Sequence, residues 1–534
     1  MNKSQIAEKH AKYTIIDGKT GFTLDVSGMD FYDSDIESLS EKLTNAHEEM
    51  LKIEAGEIKN PDENRKVTHF TDRAVYPGTS LFSDVESFAE DIKNGSILSS
   101  TGKKFEYAVI NGIGGSALGP QLLQNAINGP YWNELPESKR KGGLKIYFLD
   151  NTDTAELADL YEAIELEKTL VVTISKSGGT QETKNNMIAL RDAFTAAKLD
   201  FSKHACAITM NGSELHQYAK SSNWLQTFEM AESIGGRTSE TSIVGHVPAA
   251  LAGINFKNFL NGACHMDRLT REPNTVKNPA YLLATMWYIA GEGKGNKNMV
   301  IVPYSDRLIL MSRYLQQLVM ESLGKEKDLD GNTVYQGLNV FGNKGGTDAH
   351  AFIQQLNDGR NDFFITFIEI LRDSLIVPVE DKITMGDYLH GFLCGLTDAL
   401  LSKDRQVIQI CLNKLDEFNI GMLIALYERA VAFYAELIHI NAFHQPGVQA
   451  YKLASKGIIK LTKELQTILA SVGNFEGTAK ELVGKQNIKA DLITIEGILA
   501  KFAENSDRRK FPGFTISREW SVQKKNWIYK VKAS

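Results

Sequence analysis

The run Leu170-Val171-Val172-Thr173-Ile174-Ser175-Lys176-Ser177-Gly178-Gly179-Thr180-Gln181-Glu182-Thr183 decides how this chain folds. Its first five residues are aliphatic or β-branched, too short a run for a helix, and read as a strand buried on both faces. The next six, Ser175–Thr180, gather three hydroxyls, an amine and two glycines. A helix opens at Thr180-Gln181-Glu182-Thr183. Strand, glycine loop and helix in that order leave backbone N–H groups and a helix N-terminus facing one ligand. With hydroxyl and ammonium donors added, the loop reads as a phosphomonoester site. The plainer alternative is a polar turn with a threonine cap.

Similar units lie on either side. Tyr107–Ile110, Lys145–Leu149 and Ala205–Met210 are short apolar runs, with helical patterns such as Gln181–Leu199 between them. Continuous apolar strands alternating with helices predict a parallel sheet covered on both faces. Residues 240–295 are mostly helical in pattern. A second alternation follows, with strands at Met299–Pro303 and Phe363–Ile370, a helix at Arg307–Leu323 and long helices over 384–440. The fold class expected is therefore α/β, with two doubly wound parallel-sheet domains. The division expected is an N-terminal helical segment 1–75, a smaller α/β domain 76–255, a larger one 256–445, and a C-terminal arm and appendage 446–534. In that appendage Thr478–Lys485 and Leu492–Glu504 look helical and Trp527–Val531 looks like a strand. A packing arm or dimer contact is preferred there over a winged helix.

Composition narrows the classes. The 534 residues exceed one ordinary core. The net charge of −7, from 59 basic and 66 acidic residues, argues against a nucleic-acid partner. Four scattered cysteines, Cys206, Cys264, Cys394 and Cys411, form no C-x-x-C pair and suggest no disulfide framework. No run is long enough to span a bilayer, and Met1–Tyr13 has no apolar core of a secretory signal, so a cytoplasmic protein without a membrane partner is expected. The 11 histidines form no H-E-x-x-H pattern, and no Cys/His cluster has ligand spacing, so no metal site is expected.

A second glycine loop, Gly112-Ile113-Gly114-Gly115-Ser116-Ala117-Leu118-Gly119, also follows a strand and opens a helix. A dinucleotide site would expect an acid about 20 residues on, and Asp150 lies well beyond that, so no nucleotide cofactor is expected. Four further positions bear chemistry. Arg237 follows the paired glycines of Gly235-Gly236 and could stabilise an oxyanion. Glu321 sits among apolar neighbours in Leu315–Lys325 and is suited to a base near neutrality. His350 lies in the first turn after Gly345-Gly346, and Lys452 follows the Pro446-Gly447 turn. Taken singly, Arg237 is as readily an ordinary loop residue, and Glu321, His350 and Lys452 are more readily ordinary helix-surface residues.

Six segments taken together resemble the glucose-6-phosphate isomerase (phosphoglucose isomerase) family in its bacterial-type version. They are NGIGGSALGP, ISKSGGTQET, GGRTSETSIVG, QQLVMESLGK, GNKGGTDAHAF and HQPGVQAYK, in chain order from about residue 75 to 455. The resemblance implies two sugar-isomerase (SIS-type) domains facing each other across an active site. It implies that Ser175, Lys176, Ser177 and Thr180 hold the phosphate of a hexose phosphate with Gly115 and Ser116 nearby, that Gln317 and Gln445 line the sugar, and that Gly236 also binds the substrate. It implies that Glu321 moves a proton between C2 and C1, that Arg237 stabilises the enediolate, and that His350 and Lys452 open the ring. A homodimer with the histidine donated across the interface follows from the same resemblance, as does a place in glycolysis and gluconeogenesis without a cofactor. Thr238 stands where the family often has an aromatic residue, which bears on sugar breadth. A dual phosphoglucose/phosphomannose isomerase and a non-catalytic sugar-phosphate-binding SIS protein are the alternatives.

Overall fold

The computed structural model describes residues 3–533. Contacts divide the chain at His444 and Gln445 into two bodies.

The first body is built on two mixed α/β layers. In one sheet the strands run in the spatial order Lys145–Leu149, Tyr107–Asn111, Thr169–Ile174, Ala205–Thr209 and Gln226–Glu229, all parallel. Tyr107–Asn111, Thr169–Ile174 and Ala205–Thr209 are buried along their whole length, as continuous apolar strands between helices must be. Val109 pairs with Tyr147 on one side and with Val171 on the other. The chain thus adds its second strand to one flank and its third to the other. At such a reversal the loops leaving neighbouring strands part and open a crevice.

The second sheet has Val340–Phe341, Asn298–Pro303, Phe363–Ile370 and Gln406–Leu412 in parallel. It then takes two antiparallel strands from the N-terminus, Phe22–Gly28 and Thr14–Asp17. The helical segment expected over residues 1–75 does contain the helices Lys3–Tyr13 and Ser40–Glu54, but this hairpin lies between them. The reason is local: Phe22, Leu24 and Val26 alternate with Thr23, Asp25 and Ser27, and the three apolar side chains are fully buried against the sheet.

Between the sheets the helices Phe256–Leu269, Pro279–Ala290 and Glu417–Leu437 pack together. Their contact holds a buried ion network. Arg73 donates to both carboxylate oxygens of Asp267, at 2.7 and 2.5 Å, and pairs with Glu428. Arg429 reaches Asp267 at 2.6 Å and Glu54 at 2.6 Å. Burial alone would raise the Asp267 carboxyl, but the guanidinium groups of Arg73 and Arg429 hold it at about 2.

The second body carries the helix Pro446–Ser471 and a three-stranded antiparallel sheet of Phe475–Gly477, Asn526–Ala533 and Phe514–Ser521. The helices Ala479–Gln486 and Leu492–Ala503 cover the sheet over a core of Leu465, Phe475, Leu482, Leu499, Phe502 and Val531. No described helix is long and apolar enough to cross a membrane.

Candidate active site

Both glycine loops leave from the point where the first sheet reverses its strand order. Gly112 follows Tyr107–Asn111 and Ser175 follows Thr169–Ile174, and those two strands are neighbours. The helix Gln181–Ala196 begins right after the second loop. Its cap residue Thr180 makes no side-chain hydrogen bond to the first-turn amides, so those amides remain available to an anion. The Ser175 hydroxyl lies 3.4 Å from that of Thr180 and accepts from the Gly178 amide at 3.2 Å, and the Ser177 hydroxyl accepts from Gly179 at 3.2 Å. Gly178 has φ of +75°, and a Cβ there would stand 2.4 Å from the Leu215 nitrogen. Only glycine closes this loop in its present shape.

Lys176 does not point along its own loop. Its ammonium donates to the carbonyl oxygens of Glu232 and Ile234, the latter at 3.0 Å. Burial and the nearby Arg65 guanidinium lower this lysine to about 8. The lysine therefore ties the hydroxyl loop to the segment leading into Gly235-Gly236-Arg237.

That segment meets the first glycine loop at a close backbone contact. A Cβ on Gly115 would stand 1.8 Å from the Gly236 carbonyl oxygen, so the two chains can touch only because residue 115 is glycine. Ser239 donates to the Gly236 carbonyl at 2.7 Å and to that of Gly115 at 3.4 Å. Ser116, half-buried, lies in the tight turn that follows.

From the other α/β layer comes the helical segment Met311–Glu321. Its second half, Gln316–Glu321, is π-helical, a widened turn that often marks a functional position. The Gln317 amide reaches to 3.0 Å from where a Cβ on Gly114 would stand. One turn on, the Glu321 carboxylate lies 3.0 Å from Nη1 of Arg237. The other end of the guanidinium, Nη2, donates to the carbonyls of Ala442 and His444, each at 3.0 Å. Arg237 is 8% exposed, and burial lowers its pKa against the raising effect of Glu321. A fixed cation and a carboxylate thus stand in direct contact, reached from the hydroxyl loop through residues 232–237.

Three expected residues remain, His350, Gln445 and Lys452. His350 is exposed at the end of a short 3-10 turn, Thr347–His350. Gln445 and Lys452 belong to the second body, the first capping and the second riding on its helix Pro446–Ser471.

Sequence reasoning missed four residues. Arg65 donates to the carbonyls of Glu232 and Phe443, both at 3.2 Å, and so shares an acceptor with Lys176. Nothing in its polar loop signals this. His444 presents its carbonyl to Arg237, and its imidazole is lowered by burial with a contribution from Lys325. Lys325, the last residue of QQLVMESLGK, is 4% exposed and donates to the carbonyls of Glu321 and Ser322. Glu240 is 1% exposed, and its carboxyl is pushed well above the usual range by burial and by Glu428. Both its segment and Lys325 lie in stretches already picked out in the sequence, where only the catalytic type of each side chain drew notice.

Comparison with known proteins bears on the whole first body and more. Residues 34–402 match the family model described as phosphoglucose isomerase. The chain is 45% identical over 523 residues to a glucose-6-phosphate isomerase of Geobacter sulfurreducens, covering 95% of this chain and 96% of that protein. It is 46% identical over 495 residues to one of a Nostoc species, covering 90% and 91%. The crystal structure of a glucose-6-phosphate isomerase from Chlamydia trachomatis superposes with a TM-score of 0.77 at 26% identity, over 86% of this chain and 92% of that one. With this fold, this pair of glycine loops and these relatives, the chain belongs to the phosphoglucose isomerase family.

Proposed function

We propose that the chain interconverts glucose 6-phosphate and fructose 6-phosphate, with Glu321 as the proton-transferring base. The observation that carries this reading is the 3.0 Å contact between Glu321 and Arg237, joined through residues 232–237 to the Ser175–Thr180 loop.

The phosphate sits at that loop, taken by the hydroxyls of Ser175, Ser177 and Thr180 and the first amides of the following helix. Lys176 adds positive charge there while bracing the neighbouring segment. Binding energy from the phosphate holds the sugar in register, the usual use of contacts remote from the reacting atoms. Gly115, Ser116, Gly236, Gln317 and Gln445 line the sugar.

The closed ring opens first. His350 and Lys452 move the two protons this needs, one onto the ring oxygen and one off the anomeric hydroxyl. In the open aldose, the Glu321 carboxylate takes the proton from C2. The C–H electron pair becomes the C1–C2 double bond, and the negative charge passes to the carbonyl oxygen. Arg237 faces that charge, a stabilisation typically worth about 3 kcal/mol. Glu321 then returns the proton to C1, the hydroxyl proton shifts from O2 to O1, and the ketose forms. Electrons and hydrogen remain within the sugar, so the step calls for no external oxidant.

The chain acts as a cytoplasmic homodimer in glycolysis and gluconeogenesis, with His350 of the partner subunit completing each site. In support, His350 is exposed, and a Cβ on Gly346 in its loop would stand 3.8 Å from Leu389. The surface beyond it exposes Leu375 at 74%, Met385 at 58% and Phe392 at 58%. Open apolar side chains along this stretch of sequence favour an interface there.

The test is a coupled assay for glucose 6-phosphate formed from fructose 6-phosphate, run beside mannose 6-phosphate. Turnover of fructose 6-phosphate with little conversion of mannose 6-phosphate is expected. Equal use of both sugars would move the protein to the dual-specificity class, and no turnover of either would leave a sugar-phosphate-binding protein.

A further inference from the structure

Lys325 is a costly residue in its place. It is 4% exposed, and among the described residues no carboxylate lies within ion-pair distance of its ammonium. Burying an ammonium without an ion-pair contact costs several kcal/mol, and a leucine or methionine would fill the same space without that cost. Its nitrogen is instead spent on two backbone acceptors, the carbonyl oxygens of Glu321 at 2.7 Å and Ser322 at 2.8 Å.

Those two carbonyls end the helical segment that carries Glu321. The last carbonyls of a helix have no partner within it and bear partial negative charge, which a cation satisfies. The turn is otherwise tight. The Gly324 amide bonds to the Met320 carbonyl at 2.8 Å, and a Cβ on Gly324 would stand 2.8 Å from the same oxygen. Lys325 itself is fixed from the far side, because it begins a short strand paired with Gln336. The lysine is thus a strut between that strand and the backbone of Glu321.

We propose that Lys325 is a positioning residue for the isomerisation, holding the terminal turn so that the Glu321 carboxylate meets the reacting carbons. This rests on the reading of Glu321 as the base. Three titratable groups bear on the ammonium: Glu321 from its own element, Arg237 from the 235–239 turn, and the His444 ring, whose charging burial disfavours, from the segment that ends the first body. Two cations, Arg237 and Lys325, therefore flank the single carboxylate. Burial and Arg237 lower Lys325 to about 7, so its charge is sensitive to its surroundings in the working range.

The experiment compares Lys325→Met, Lys325→Gln, Lys325→Arg and Glu321→Gln in the full-length enzyme. Thermal midpoints identify which variants fold. In folded Met or Gln variants kcat is expected to fall at least tenfold, while KM for fructose 6-phosphate changes less than about twofold. The acid limb of the kcat/KM profile is expected to move to higher pH, since one positive charge near the base is gone. A merely structural role would not move that limb. The Arg variant, which keeps charge and donors, is expected to retain most of kcat. A folded Met or Gln variant with kcat within twofold of the parent overturns the proposal. If neither neutral variant folds, an Arg variant that folds and still loses tenfold in kcat overturns it. Should Glu321→Gln keep most activity, the base reading itself fails, and that outcome is separate from any result at Lys325.

Discussion

The Glu321 carboxylate and the Arg237 guanidinium stand 3.0 Å apart, brought together from the two α/β layers of one body. Neither is held by this contact alone. Arg237 is also clamped by the carbonyls of Ala442 and His444, and Glu321 by the turn that Lys325 closes. A carboxylate next to a fixed cation suits a reaction in which the same site removes a proton and stabilises the anion left behind. The preorganisation lies in the backbone carbonyls: they fix the guanidinium by geometry without adding a second negative side chain to compete for it.

The phosphate loop is expected to govern binding rather than chemistry. Combining Ser175→Ala with Thr180→Ala removes two hydroxyl donors while leaving the loop glycines and the helix in place. Steady-state kinetics should show KM for fructose 6-phosphate raised at least tenfold, with kcat reduced much less. An unchanged KM would move the phosphate elsewhere.

Shared sites give a subunit-mixing test. Homodimers of His350→Gln and of Glu321→Gln should each be nearly inactive. If each site draws His350 from the partner subunit, a mixed dimer has one intact site, and random reassortment of equal amounts should recover about a quarter of parental activity. No recovery after verified exchange would place the histidine in the same subunit as its glutamate.

The buried network of Arg73, Asp267, Arg429 and Glu428 is expected to matter for stability and not for kcat. Removing one partner of a buried pair leaves an uncompensated charge, so Arg73→Met should cost about 3–5 kcal/mol in urea unfolding. The acid side of stability has a definite sign. Asp267 is held at about 2, below its unfolded value, so its contribution is complete above roughly pH 4 and is lost as pH falls from there through about 2. That loss is on the order of 2 kcal/mol. Asp267→Asn should flatten this limb, and an unaltered slope between pH 5 and pH 3 would remove Asp267 from that role.

Much of this arrangement could be read before any coordinates. The strand Thr169–Ile174, the hydroxyl loop behind it and the helix from Gln181 follow from apolar continuity and the Ser175–Thr180 composition, which local physics determines. The N-terminal strands escaped because the Phe22–Val26 alternation is short and lies in a polar, helix-rich stretch. Its sheet partner, Gln406–Leu412, is nearly four hundred residues away. Lys176 had the right type for phosphate, but sequence could not show that its nitrogen turns to the Glu232 and Ile234 carbonyls. Arg65 is the clearest omission. Its value comes wholly from tertiary contacts to residues 232 and 443, and no spacing rule encodes those.

The most direct measurement is the steady-state kinetics of Glu321→Gln on fructose 6-phosphate, with binding of a non-reacting sugar phosphate measured alongside. The side chain keeps its shape and loses its capacity to accept a proton. Turnover should drop at least a thousandfold. Affinity for the sugar phosphate should stay within a few-fold of the parent. A variant that folds and keeps more than a tenth of the parental kcat would show that the hydrogen at C1 of the ketose leaves by another group.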